Sequence, residues 1–272
     1  MAGRDVCDRF VSRELRATDA ARLYCWHEIC VFSVISTFVL ITVRRPQLEH
    51  NLDPADAFTP ATSEQGNKMV IGDALLSALV NLVLLAGIPF SLYYAYHRRR
   101  RKRLAAEIVQ RAGLQLGEPR YVSYCVALAA AIVAAIVIWP PDLEPLVRDG
   151  SAWKPFVGGG LTATTMFVAL LYGVVKTGFA EEFLFRGLIA GSLSRRLPLV
   201  WANLLQAIIF LLPHLAILWI APEAWGILPI VFAGSLFVGW VRIKSGSLVG
   251  PWLIHAAANV AMGLSVAIRS AA

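Results

Sequence analysis

The sequence predicts an all-α membrane protein, a polytopic bundle of about seven to eight transmembrane helices. Three observations predict it. Hydrophobic residues make up 57% of the chain, against ~45–50% in soluble domains, and charged residues only 16%, against ~25%. The mean hydropathy is +0.62. The apolar residues fall in runs that reach the ~20 residues a helix needs to cross ~30 Å of hydrocarbon. The net charge of +7 by itself fits a nucleic-acid partner, but the basic residues lie between apolar runs, where they set topology and touch anionic headgroups. The partners expected from composition are therefore the lipid bilayer and membrane-associated molecules, with no nucleic acid.

Residues 1–25 mix acids and bases and lack a short apolar core before a small-residue cleavage site, so they read as a cytoplasmic N-terminal segment and not as a signal peptide. Spans are expected near 26–43, 70–96, 121–140, 157–178, 199–220, 226–241 and 247–268, with a helical continuation over 179–193. The chain divides into N-terminal membrane helices over 26–155, with a basic loop at 97–120, and a membrane core over 156–268. The tract His97 to Arg103, HRRRRKR, is the strongest topogenic signal and belongs in the cytoplasm. Arg4, Arg9, Arg13, Arg16 and Arg22 then lie inside with it, as do Arg195, Arg196, Arg242 and Lys244. The loops at 46–67 and 141–155 carry Asp53, Asp56, Glu64, Asp142, Glu144 and Asp149 and lie outside; Arg44 and Arg45 run against this assignment. The expected location is the cytoplasmic membrane of a bacterium, with the N-terminus inside. Cys7, Cys25, Cys30 and Cys125 have no CxxC spacing and read as reduced packing residues.

The stretch FAEEFLFRGL, 179–188, puts Glu181, Glu182 and Arg186 among apolar residues, where each charge costs at least ~2.5–3.5 kcal/mol at the bilayer centre. Glu182 and Arg186 are spaced i,i+4 and can pair, while Glu181 lies ~100° further round the helix and can point elsewhere. Helical rise places Glu181 about 21 Å from Arg195, His214 about 22 Å from Leu199 and His255 about 16 Å from Lys244, before any turn is allowed for. Three helices thus present polar groups at similar depth, and such groups usually face a bundle interior. Phe210 and His214, in FLLPH, share a helix face, and Pro213 should bend or open the helix beside the histidine. His255 and Asn259, in HAAAN, also share a face, with small residues between them that permit close helix approach.

A carboxylate and an imidazole in a partly desolvated site can take a proton from an attacking water, and a second imidazole with a carboxamide can stabilise an oxyanion. No GxSxG or HExxH occurs, so a serine nucleophile and the usual zincin have no support. Glu, His and His remain chemically suited to zinc with a water in the fourth position.

EEFLFR, FLLPH and HAAAN resemble, in order, the motifs EExxxR, FxxxH and HxxxN of the CAAX-protease and bacteriocin-processing family of intramembrane endopeptidases. The resemblance covers about 156–268. It implies an eight-helix-type core with an intramembrane catalytic cavity open to the cytoplasm, and hydrolysis of a membrane-anchored protein or peptide. By this resemblance Glu181 and His214 activate water, His255 and Asn259 form the oxyanion site, and Glu182, Arg186 and Phe210 support them. No cofactor is then required, although the family is also labelled metalloprotease and zinc stays open. The alternatives are a non-catalytic scaffold or bacteriocin self-immunity protein, and a proton-coupled transporter.

Overall fold

The computed structural model describes residues 64–272, and side chains from residue 70 onward. The span expected at 26–43 lies outside the described residues. Among those described, the regular structure is helical throughout, and six helices are long and apolar enough to cross a membrane. They are α1 (Val70–Arg99), α3 (Pro119–Ile138), α4 (Ala163–Leu193), α5 (Leu199–Ile220), α6 (Pro222–Ser245) and α7 (Val249–Arg269); a short α2 (Ala105–Arg111) follows the arginine tract.

Local chemistry sets where these helices change. In α1 the segment Leu82–Gly87 is wound as a π-helix, and the Ile88 amide reaches back five residues to Val83 O. Pro89 follows directly; it has no amide to give to Leu85 O, so the normal ladder cannot continue there. Proline at the first helical position starts α3. The expected span over 157–178 and its continuation over 179–193 form one helix, and it begins later than expected, at Ala163. The reason is a glycine run: Gly158 and Gly160 have φ of 73° and 56°, which helix excludes. Thr162 then caps α4 by accepting from the Thr165 amide at 3.1 Å.

Pro213 acts as its position predicts. The regular part of α5 ends at His214, and the chain turns through Leu215 and Ala216 before a last helical turn, Ile217–Ile220. α6 stops at Gly246 (φ 71°), whose amide bonds Arg242 O, and α7 begins three residues later, so α6 and α7 are antiparallel neighbours. The turn between them is tied to the segment after α2: Leu248 N donates to Gly113 O at 3.0 Å and Ser247 Oγ to Gln115 O at 2.6 Å.

α7 packs along both α3 and α4, and α5 packs along α6. Cys125 is buried in the α3–α6–α7 core with Val241 and Ile254, as expected of a packing thiol. Phe156, under Val266 and Ala267, closes the other end of α7. Leu75, Leu76, Leu79 and Val80 of α1 are exposed, as lipid-facing residues should be.

The two ends of the bundle differ in chemistry. Exposed Trp139, Trp219 and Trp225 gather where α3 and α5 end and α6 begins, the pattern of an interfacial aromatic belt. The arginine tract, α2, Arg195 and Arg242 gather at the opposite end.

Candidate active site

α4 carries the two glutamates where its winding is least regular. A π-helical segment, Leu171–Phe179, precedes one α-helical turn, Ala180–Glu182, and a second π-helical segment, Phe183–Ala190, follows. The wider winding leaves some carbonyls to be met by side chains: Thr177 Oγ1 donates to Tyr172 O, five residues back, at 2.9 Å. Irregular helix of this kind is frequent at functional sites.

Glu182 and Arg186 are almost wholly buried and pair at 2.9 Å, as their spacing predicts. Arg186 reaches further than that pair. Its Nη2 donates to Ser235 Oγ of α6 at 2.9 Å, and its guanidinium lies 3.8 Å from the centre of the Phe210 ring of α5. One buried arginine thereby joins α4, α5 and α6. Phe210 also meets Phe185 edge-on at 5.1 Å and so packs within this junction.

His255 of α7 sits between the two glutamates. Its Nδ1 lies 2.8 Å from Glu182 Oε1 and its Nε2 3.9 Å from Glu181 Oε2. A carboxylate can only accept, so Nδ1 donates, and the ring is fixed with Nε2 toward Glu181. Glu181 is the freer carboxylate, with its side chain 22% exposed against 2% for Glu182. This is the division of labour that their different directions on the helix suggest.

His214 packs on the other side of Phe210, ring centroids 4.6 Å apart, and its Nδ1 lies 2.8 Å from Phe210 O. That carbonyl can only accept, so Nδ1 carries the hydrogen and Nε2 keeps its lone pair. The break after Pro213 thus leaves His214 at a helix end with one nitrogen unspent. Glu181 lies within Coulombic range of both His214 and His255. Asn259 donates through Nδ2 to Thr177 Oγ1 at 2.7 Å, which ties α7 to α4 one turn beyond His255.

The structure therefore joins Glu181, Glu182, Arg186, Phe210, His214 and His255 through contacts across three helices, with Asn259 one turn away on Thr177. The depth estimate for His255 was too large, because the turn at Gly246–Leu248 means that only six residues of α7 precede it. Ser235 and Thr177 were not foreseen. Ser235 has no sequence signal, being 49 residues from its partner, whereas Thr177 stands four residues before Glu181. Lys176 has its ammonium 5.2 Å from the Tyr172 ring centre.

A zinc hydrolase needs three protein donors about 2.0–2.3 Å from one point. Among the described residues no three His, Cys, Asp or Glu side chains are placed to hold a metal ion. Nδ1 of both His214 and His255 is engaged, by Phe210 O and Glu182, which leaves Nε2 of each ring outside those bonds.

An apolar cavity of about 360 Å³ is lined by Leu114, Leu116, Phe179, Leu248, Val249 and Trp252. Phe179 stands two residues before Glu181, and Trp252, three before His255, is fixed by its indole N–H to Val174 O at 2.7 Å.

The helical membrane bundle holds paired acids and imidazoles between its spans, and comparison with known families bears on the same stretch of chain. Residues 163–261 match the family described as type II CAAX prenyl endopeptidase Rce1-like, a stretch that starts at the first residue of α4 and takes in all three motifs. Over these residues the chain is similar to that family, in the region where the sequence motifs also resemble the CAAX-protease and bacteriocin-processing family. No curated protein and no solved structure matches the chain.

Proposed function

We propose that the chain is an intramembrane endopeptidase that cleaves a peptide bond in a membrane-anchored protein or peptide, using water activated by Glu181 and His214. The observation that carries this reading is the placement of His255 between Glu182 Oε1 at 2.8 Å and Glu181 Oε2 at 3.9 Å. That arrangement spends one carboxylate on orienting an imidazole and leaves the other for proton transfer.

In this mechanism Glu181 takes a proton from water as the water oxygen attacks the scissile carbonyl carbon. His214 Nε2 accepts the second water hydrogen and aims the attack. With hydrogen on both ring nitrogens, His255 donates to Glu182 through Nδ1 and to the new oxyanion through Nε2. Asn259 supplies its remaining amide hydrogen to the same oxygen. The tetrahedral centre collapses by breaking the C–N bond, and the proton held by Glu181 passes to the leaving amine. No metal takes part.

The apolar cavity at Phe179 and Trp252 supports a substrate with an apolar segment or lipid modification next to the bond that is cut. The test is incubation of the purified chain with peptides that differ only in a C-terminal prenylated, acylated or unmodified cysteine, with mass spectrometry of the products. The expected result is one new C-terminus, formed fastest from a lipid-modified peptide. A lack of cleavage across the series, from protein that is folded and membrane-inserted, overturns the proposal in favour of a non-catalytic scaffold.

A further inference from the structure

The proposed reaction makes no use of the arginine cluster at the opposite end of the bundle from the tryptophan belt. There, a cavity of about 320 Å³ is lined by Glu107, Gln110, Arg111, Gln115, Arg195 and Arg242. Arg242 is only 5% exposed, and its partners among the described residues are neutral: Nε donates to Arg186 O at 3.1 Å and Nη2 to Arg111 O at 3.0 Å. Arg195 likewise donates to Arg111 O at 3.3 Å, to the Tyr93 hydroxyl at 3.0 Å and to Ser192 Oγ at 3.3 Å. The cavity's single carboxylate, Glu107, is paired with Arg111 at 3.1 Å and also with Arg103. Three guanidinium groups thus face one carboxylate that is already shared.

A buried cation matched only by carbonyl dipoles lacks a counter-charge, and such charges are ordinarily paired. The site is also built, not a loose surface patch. Gly113, with φ of 84°, lies so close to Arg242 that a Cβ there would stand 2.7 Å from its Nε. The guanidinium is held flat against backbone in one position. Guanidinium forks together with the Gln110 and Gln115 carboxamides match the oxygens of a phosphate group, and the charge excess suits a dianion. The surroundings suit a lipid: Leu104, 70% exposed, and Leu116, 89% exposed, flank α2 beside the ends of three spanning helices.

We propose that this cavity is a phosphate-binding site, filled by the phosphomonoester head of an anionic lipid in the adjoining leaflet or by a soluble phosphate. Its contact with the catalytic core is direct, because Arg242 Nε bonds the carbonyl of Arg186.

The experiment uses the purified full chain in detergent micelles and measures binding by native mass spectrometry. The probes are short-chain phosphatidic acid, phosphatidylcholine with the same chains, inorganic phosphate and an unmodified peptide with a free C-terminal carboxylate. Phosphatidic acid should bind at least ~10-fold more tightly than phosphatidylcholine, and Arg195→Gln and Arg111→Gln should each weaken it ~10-fold. Arg100→Gln, which removes the same charge outside the cavity, should change binding by less than about twofold. Thermal melts provide a second readout: phosphatidic acid should raise the Tm of wild type and not that of Arg111→Gln. Competition by inorganic phosphate supports the site with a soluble source, and its failure to compete supports the lipid source. Equal weakening by all three substitutions overturns the proposal, as does equal binding of the two lipids. So does binding of the carboxylate peptide under conditions where neither phosphate probe binds. None of these readouts requires proteolysis, so the site stands or falls separately from the proposed enzymatic reaction.

Discussion

Arg186 shows how a costly residue is made tolerable inside a membrane bundle. Its guanidinium meets Glu182 at 2.9 Å, Ser235 at 2.9 Å and the face of Phe210 at 3.8 Å, so its charge, two of its donors and its flat surface each have a partner. Removing one member of a buried pair leaves the other uncompensated, at a cost of ~3–5 kcal/mol. Arg186→Met should therefore lower the melting temperature sharply, measured on purified protein, and Glu182→Gln should do so to a smaller extent while loosening His255. With Asn259 as the proposed oxyanion donor, Asn259→Ala should reduce kcat by ~10²–10³ with residual turnover. Thr177→Val keeps the shape of Thr177 but withdraws the acceptor of the 2.7 Å bond from Asn259, so kcat should fall while the protein stays folded. An unchanged rate in Thr177→Val would remove that bond from the catalytic account. Much of this was legible in the chain. The i,i+4 spacing announces the Glu182–Arg186 pair, and the order EExxxR, FxxxH, HxxxN picks out residues that the fold brings near one another. Ser235 and Thr177 were not legible, because a lone hydroxyl on a distant helix carries no periodic signal.

At the scale of the helix, the sequence yields the spans but not their winding. Pro213 predicts the end of regular helix beside His214, and Pro89 explains the π-helical segment in α1. No comparable marker announces the π-helical segments Leu171–Phe179 and Phe183–Ala190, which carry α4 through the site. Their wider turns are accommodated by contact with α7. A Cβ on Gly173 would stand 2.9 Å from Val260 N and 3.0 Å from Ala256 O, so the two backbones touch there. Gly173→Leu should separate α4 from α7, lower the melting temperature and abolish activity, because Glu181 and His255 would no longer face each other. Pro213→Ala restores an amide and lets the α5 ladder continue. It should leave stability intact or improved while lowering kcat, since His214 would be drawn back into regular helix. A Pro213→Ala variant that cleaves at the wild-type rate would show that the break has no part in placing His214.

For the whole molecule, composition alone was enough for the class: a helical bundle with six described spans, in which the largest shift of a helix start, at α4, traces to a glycine run. The concentration of arginines at one end implies a fixed orientation. By the positive-inside rule the arginine end should face the cytoplasm. A single cysteine at position 100 should be labelled by a membrane-impermeant reagent only in opened vesicles, and one at position 142 from outside intact cells. The reverse pattern would put the site's access on the other face of the membrane.

The central claim, that the paired glutamates of α4 divide into one that orients His255 and one that takes the proton, is tested most directly at Glu181. The measurement is the rate of cleavage of a lipid-modified, membrane-anchored peptide by Glu181→Gln beside wild type, with the melting temperature of each recorded on the same preparations. The amide keeps the shape of the side chain and cannot accept the proton. The account predicts no detectable product from the variant at an unchanged melting temperature. Cleavage by Glu181→Gln at the wild-type rate would contradict it.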